Sequence, residues 1–355
     1  MTKTPFLIVC AASSGSTLLS LLLDKHPDLA IGPELGIFNK KVTFNSFSKY
    51  KKNISKYLRN GTSTCGQVEN SIYFDNLESY FWNKNEILDK IQSTNSHREF
   101  FDTFFQRFLE KRGKKIWGEK TGSNAYYIKQ FLKIYPNAKI IHLTRHPYDA
   151  INSIIKRTLK EKRINKKHAI YHATSHWLYN NIASYRIRNQ SNYMNVSYET
   201  LVENPKETLN IIQNHLEIPI HDLIETNNEF WENNVDNKNT HQSWNANPFG
   251  KITTSSIGKG KAELSNEAKE LIANLKLTHF AKIKLKINNN YNIPSLAKEL
   301  GYKMDIDQNN YSVNSDNQIK IKDIFKYEIN RMIRGYRRHK IVYLPLFTKS
   351  IIRNQ

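Results

Sequence analysis

Five small residues, Ser13-Ser14-Gly15-Ser16-Thr17, stand between an apolar run and a leucine-rich one. Hydroxyls donate hydrogen bonds, and a glycine lets the backbone come close to a ligand oxygen. Between a strand and a helix, such a stretch suits a phosphate: main-chain N–H groups converge there and the helix dipole adds partial positive charge. The same residues equally suit an ordinary helix start, with hydroxyls capping the free N–H groups. The fingerprints G-x-G-x-x-G and G-x-x-x-x-G-K-[ST] are both absent, which disfavours dinucleotide binding and a nucleoside triphosphatase.

A second constellation is "LTRHPYDAINS", with Arg145 at the C-terminal end of a strand and Ser153 eight residues on, in the following helix. Open α/β sheets bind ligands at such strand ends. A guanidinium plus a hydroxyl suits a phosphate monoester, which the planar fork grips in bidentate fashion. The competing arrangement pairs Arg145 with Asp149 on the helix surface and leaves Ser153 idle. The 12 histidines show no ligand spacing such as H-E-x-x-H, and no metal is expected.

These residues need a scaffold. Pro5–Ala11 is a continuous apolar run suited to a parallel strand buried on both faces, and Thr17–Lys25 has the leucine spacing of a helix. Asp28–Ile31, "KIWGEKTG", "AKIIHLTRHP" and "YMNVS" predict further strands. "HREFFDTFFQRFLEKRGKK", "NAYYIKQFLKIYP", "ELSNEAKELIANL" and "SLAKELGY" predict helices, as does the basic stretch after Pro147. Strands alternating with helices indicate an α/β chain with a mostly parallel, doubly wound sheet. Residues 40–96 are Asn/Lys/Ser-rich and predict a helical or irregular insertion, and 225–254 predict a mobile loop.

Composition bounds the partners. The 355 residues suffice for a sizeable core, and a formal net charge of +21 predicts an anionic ligand or surface. Two cysteines, Cys10 and Cys65, make no disulfide framework, and Cys10 is expected as a buried small hydrophobe. "MTKTPFLIVC" is too short in apolar residues for a secretory signal and Leu18–Leu23 too short to span a bilayer, so a cytoplasmic protein is expected.

Taken in order, "SSGSTLLSLLLDKHPDLAIGPE", "WGEKTG", "LTRHPYDAINS", "VSYETLVENP" and "SSIGKGKAELS" resemble the sulfotransferase family, which uses 3′-phosphoadenosine-5′-phosphosulfate (PAPS). The resemblance covers roughly residues 5–35 and 114–275 and is closest to the tyrosylprotein and bacterial branches. It implies the sulfotransferase fold, a P-loop-like, mostly parallel sheet flanked by helices over residues 1–302. It also implies transfer of a sulfuryl group to a hydroxyl or amine acceptor.

On that match Ser13, Ser14, Gly15, Ser16 and Thr17 hold the 5′-phosphosulfate, and Arg145 and Ser153 hold the 3′-phosphate. Glu34 takes the general-base position and Lys120 faces the transferred group and its bridging oxygen. Tyr198 contacts adenine, although its type also suits a core position, and Ser256 and Lys259 belong to a late loop that closes on the donor. The family usually carries Arg or Lys where this chain has Ser13, which leaves Lys120, with Lys259, to supply positive charge. The expected acceptors are a glycan, a lipid-linked sugar, a tyrosyl peptide or a small metabolite, shaped by the 40–96 insertion.

Two other classes fit the same residues less well. An ATP-dependent kinase lacks its phosphate-loop lysine here, and a non-catalytic binder of anionic polymers would use the net charge alone. Residues 303–318 predict a polar linker. The tail, 319–355, carries ten Lys or Arg against two acids, alternating with bulky apolar residues. It suits either a packed cap or a helix lying on an anionic membrane surface. No motif for specific nucleic-acid binding is present.

Overall fold

The computed structural model describes residues 4–38, 41–59, 76–162, 166–224, 251–275 and 291–304. Cys65, residues 225–250, most of the expected linker and the whole basic tail lie outside the described residues. The chain divides into two compact units, one of Met1–Cys10, Gly15–Leu143 and Ile187–Ile252, the other of Ala11–Ser14, Thr144–Arg186 and Thr253–Gln355.

All five expected strands form: β1 (Phe6–Cys10), β2 (Leu29–Ile31), β3 (Ile116–Lys120), β4 (Lys139–Thr144) and β5 (Tyr193–Ser197). They make one sheet in the order β2-β3-β1-β4-β5, with β1 parallel to β3 and β4, and β2 parallel to β3. Ile8 lies opposite Lys120 and Cys10 opposite Leu143, so the C-terminal ends of the central strands are brought level. β1 is buried throughout, as a strand covered on both faces must be.

Alternation along β3 sends Ile116 and Trp117 to opposite faces. On the Ile116 side, leucines of α1 (Ser16–Asp24) pack with Leu201 of α8 (Tyr198–Glu203) and Leu209 and Ile212 of α9 (Pro205–His215). On the other side Trp117 stacks on Phe105 of α4 (His97–Arg112), with ring centroids 3.8 Å apart and planes 7° from parallel. The paired phenylalanines of "EFFDTFFQRF" recur about every fourth residue, which puts Phe100, Phe101, Phe104, Phe105 and Phe108 on the buried stripe. Ser96 caps that helix by accepting Glu99 N–H, and Gly113 closes it in the left-handed conformation.

The start of α1 differs from expectation. Its N-cap is Gly15 at φ 89°, and no side-chain hydroxyl caps it. Residues 41–93 are helical where described: 3-10 turns at Lys41–Phe44 and Leu77–Tyr80, with α2 (Phe47–Arg59) and α3 (Lys84–Ser93). "NAYYIKQFLKIYP" starts as a 3-10 turn over Gly122–Tyr127 before α5 (Ile128–Ile134).

In the second unit α6 (Pro147–Lys162) packs along α7 (Lys166–Tyr185). Among its described residues are also short helices at Lys259–Glu263, Asn266–Asn274 and Ile293–Glu299. Among the described residues, no helix is long and apolar enough to cross a membrane.

Candidate functional site

In the first unit the turn after β1 is built around Gly15. A Cβ there would come within 2.3 Å of Tyr198 Cδ2, and the positive φ adds backbone strain for any L side chain. Tyr198 is therefore a half-buried ring laid on the turn, not a core tyrosine. Ser16 and Thr17, in the first turn of α1, are also half-buried. Ser16 hydrogen-bonds the Cys10 thiol, which burial pushes up to about 11, so that sulfur stays protonated near neutral pH.

Lys120 ends β3 with its side chain 5% exposed, while Glu34 is 55% exposed. Their charged atoms, Nζ and Oε1, lie 2.9 Å apart. A buried ammonium thus points outward at a solvent-facing carboxylate, which can reach a proton on an incoming molecule. The loop bearing Glu34 is braced through its main chain. Asn76 donates from Nδ2 to the Glu34 carbonyl at 2.7 Å, and the Tyr80 hydroxyl donates to the Pro33 carbonyl at 2.8 Å. The 40–96 insertion therefore touches this loop.

Glu119, which the sequence reading passed over, is fully buried beside this pair. Its carboxylate accepts the Thr121 hydroxyl at 2.6 Å, the Leu35 N–H at 3.3 Å and the Asn124 side-chain amide. Burial raises its pKa, against the pull of these three donors. An acid inside the expected strand "KIWGEKTG" was the available signal.

In the second unit Ser13 adopts φ 62° and Ser14 is buried, with its hydroxyl oxygen making no hydrogen bond. A buried hydroxyl left without a partner is costly unless something else satisfies it. Arg145 donates from its two terminal nitrogens to the main-chain carbonyls of Ser13 and Ser256, each at 2.9 Å. The competing pairing with Asp149 is displaced: Asp149 accepts the Gly258 and Gly260 N–H groups at 2.9 and 2.6 Å.

Gly260 lies so close to Tyr148 that a Cβ would sit 2.1 Å from its carbonyl oxygen. Arg145, Ser13 and Ser256 are thus bonded together. Ser153 is half-buried on α6, and Lys259 is exposed at the start of its short helix.

The model of the sulfotransferase family matches residues 5–222. Among solved structures, the sulfotransferase domain from the Synechococcus PCC 7002 olefin synthase is similar with TM-score 0.57 and 17% identity, over 85% of this chain and 96% of that one. The sulfotransferase domain from the curacin biosynthetic pathway gives TM-score 0.48 and 16% identity, over 86% of this chain and all of that one. No curated protein matches the sequence. At such identity the first structural likeness speaks for the fold alone, and the parallel sheet described above agrees with it. The family match extends from β1 past α9, more than half of the chain, and on that ground this protein belongs to the sulfotransferase family.

Proposed function

We propose that this chain transfers a sulfuryl group from PAPS to an acceptor hydroxyl or amine. The observation that carries the reading is the pairing of exposed Glu34 with buried Lys120 at the end of β3. In this reaction the acceptor oxygen or nitrogen forms a bond to sulfur as the sulfur–oxygen bond to the phosphate breaks. Glu34 takes the acceptor's proton, and Lys120 stabilises the charge that builds on the departing phosphate oxygen. Adenosine 3′,5′-bisphosphate leaves.

The donor-binding residues are those that the sequence resemblance assigns, and their chemistry suits a phosphate. Ser14 offers a buried hydroxyl that makes no hydrogen bond. α1 starts without a side-chain cap, and Gly15 has no Cβ to obstruct an approach. Arg145, with Ser153, Ser256 and Lys259, is assigned to the 3′-phosphate, and Tyr198 to adenine. The acceptor side falls to the 76–80 segment, because it is bonded to the loop that carries the base.

Incubation with labelled PAPS and a panel of glycans, lipid-linked sugars, tyrosyl peptides and small alcohols tests the reading. Mass spectrometry should show a gain of about 80 Da, the mass of SO3, on one acceptor class. Titration with adenosine 3′,5′-bisphosphate should saturate a single tight site. A polymer binder without catalytic function would show neither.

A further inference from the structure

Three consecutive residues of the loop after β2 meet three consecutive residues at the end of β3. Glu34 pairs with Lys120, Leu35 N–H donates to Glu119, and Gly36 N–H donates to the Thr121 hydroxyl oxygen at 3.2 Å. The direction of each bond can be assigned. Thr121 has one hydroxyl proton, which it gives to Glu119, and its lone pairs serve Gly36. Leu35 and Asn124 also donate to Glu119. Every one of these partners is a donor, and together they favour the carboxylate form against the burial that raises its pKa.

We propose that Glu119 is a positioning residue: through Leu35 and Thr121 it holds residues 34–36 so that the Glu34 carboxylate rests on Lys120. This inference relies on the roles given above to Glu34 and Lys120. Glu119 itself neither gains nor loses a bond during transfer. Asn124 supplies the condition for a conservative control. Its side-chain oxygen is buried and makes no hydrogen bond, so in Glu119→Gln the amide can turn over and accept from the new Nε2.

The test uses the full chain and the variants Glu119→Ala, Glu119→Gln and Thr121→Val. Two readouts are taken, hydrogen–deuterium exchange of the Leu35 and Gly36 amides and steady-state transfer from labelled PAPS. Glu119→Ala and Thr121→Val should speed exchange at these amides about tenfold or more. Their kcat should fall about 10²-fold with the donor KM held within about twofold, as expected when a reacting group is displaced but binding is not. Glu119→Gln should restore slow exchange and most of kcat.

If Glu119→Ala does not fold, Thr121→Val, which removes one hydroxyl, decides the matter. Unchanged exchange at both amides overturns the anchor. Faster exchange with unaltered kcat overturns its bearing on transfer. A Glu119→Gln chain that exchanges and turns over like Glu119→Ala overturns the assignment of the anchor to these hydrogen bonds. Absence of transfer by the unaltered chain to every acceptor would overturn the sulfuryl reading and the catalytic half of this one, while the exchange rates would still decide the anchor.

Discussion

At the scale of single residues, the proposed reading rests on Lys120, Glu34 and Glu119. Lys120→Ala should lower kcat by roughly 10² to 10³, the usual loss when a preorganised charge is removed from a developing anion. Ser13→Arg, by contrast, should be tolerated or accelerating in the same steady-state assay, because it restores the cation that the family usually carries there.

Glu119 makes a prediction about stability. A carboxyl whose folded pKa lies above its unfolded value is penalised while ionised, and the penalty fades as pH falls through the folded pKa. Chemical denaturation should therefore show the unaltered chain gaining on Glu119→Gln as pH is lowered from neutral toward the ordinary glutamate range. A constant difference between the two would contradict a raised pKa for this buried carboxyl.

At the scale of elements, α4 and the late loop are the exposed tests. Phe105→Ala removes the ring stacked on Trp117 and should cost about 3–5 kcal/mol, seen as a lowered denaturation midpoint. Asp149→Ala should instead weaken adenosine 3′,5′-bisphosphate binding about tenfold or more, because the N–H groups of Gly258 and Gly260 lose their common acceptor. Calorimetric titration checks it.

The elements also show what could be read in advance. β1 and β2 are short apolar runs closed by polar residues, and such runs have few alternatives once helices alternate with them. The opening of α1 was legible in position but not in mechanism: hydroxyls next to a leucine stripe suggest capping, while Gly15 is left-handed and leaves room for the Tyr198 ring, far off in sequence. Glu119 was hidden for a related reason. Its partners Leu35 and Asn124 are set by a loop crossing and a 3-10 turn, and neither leaves a spacing in the chain. Arg145 stood out from its place after β4, yet the carbonyls that it holds belong to residues 13 and 256, far apart in sequence.

At the scale of the whole molecule, the formal charge of +21 should act on every anionic ligand at long range. Association with adenosine 3′,5′-bisphosphate is expected to slow as salt rises from about 10 to 150 mM, because the screening length shortens from about 30 to 8 Å. Stopped-flow rates measured across that range check it, and a flat response would confine the electrostatics to the contacts themselves.

Arg145 carries a last consequence. What it grips are peptide oxygens, which all twenty amino acids possess, so the clasp is indifferent to the identity of residues 13 and 256. Position 13 could therefore drift from a basic residue to serine without springing the latch. Enzymes built this way can retune the charge at their first loop by single substitutions and keep the backbone that presents it.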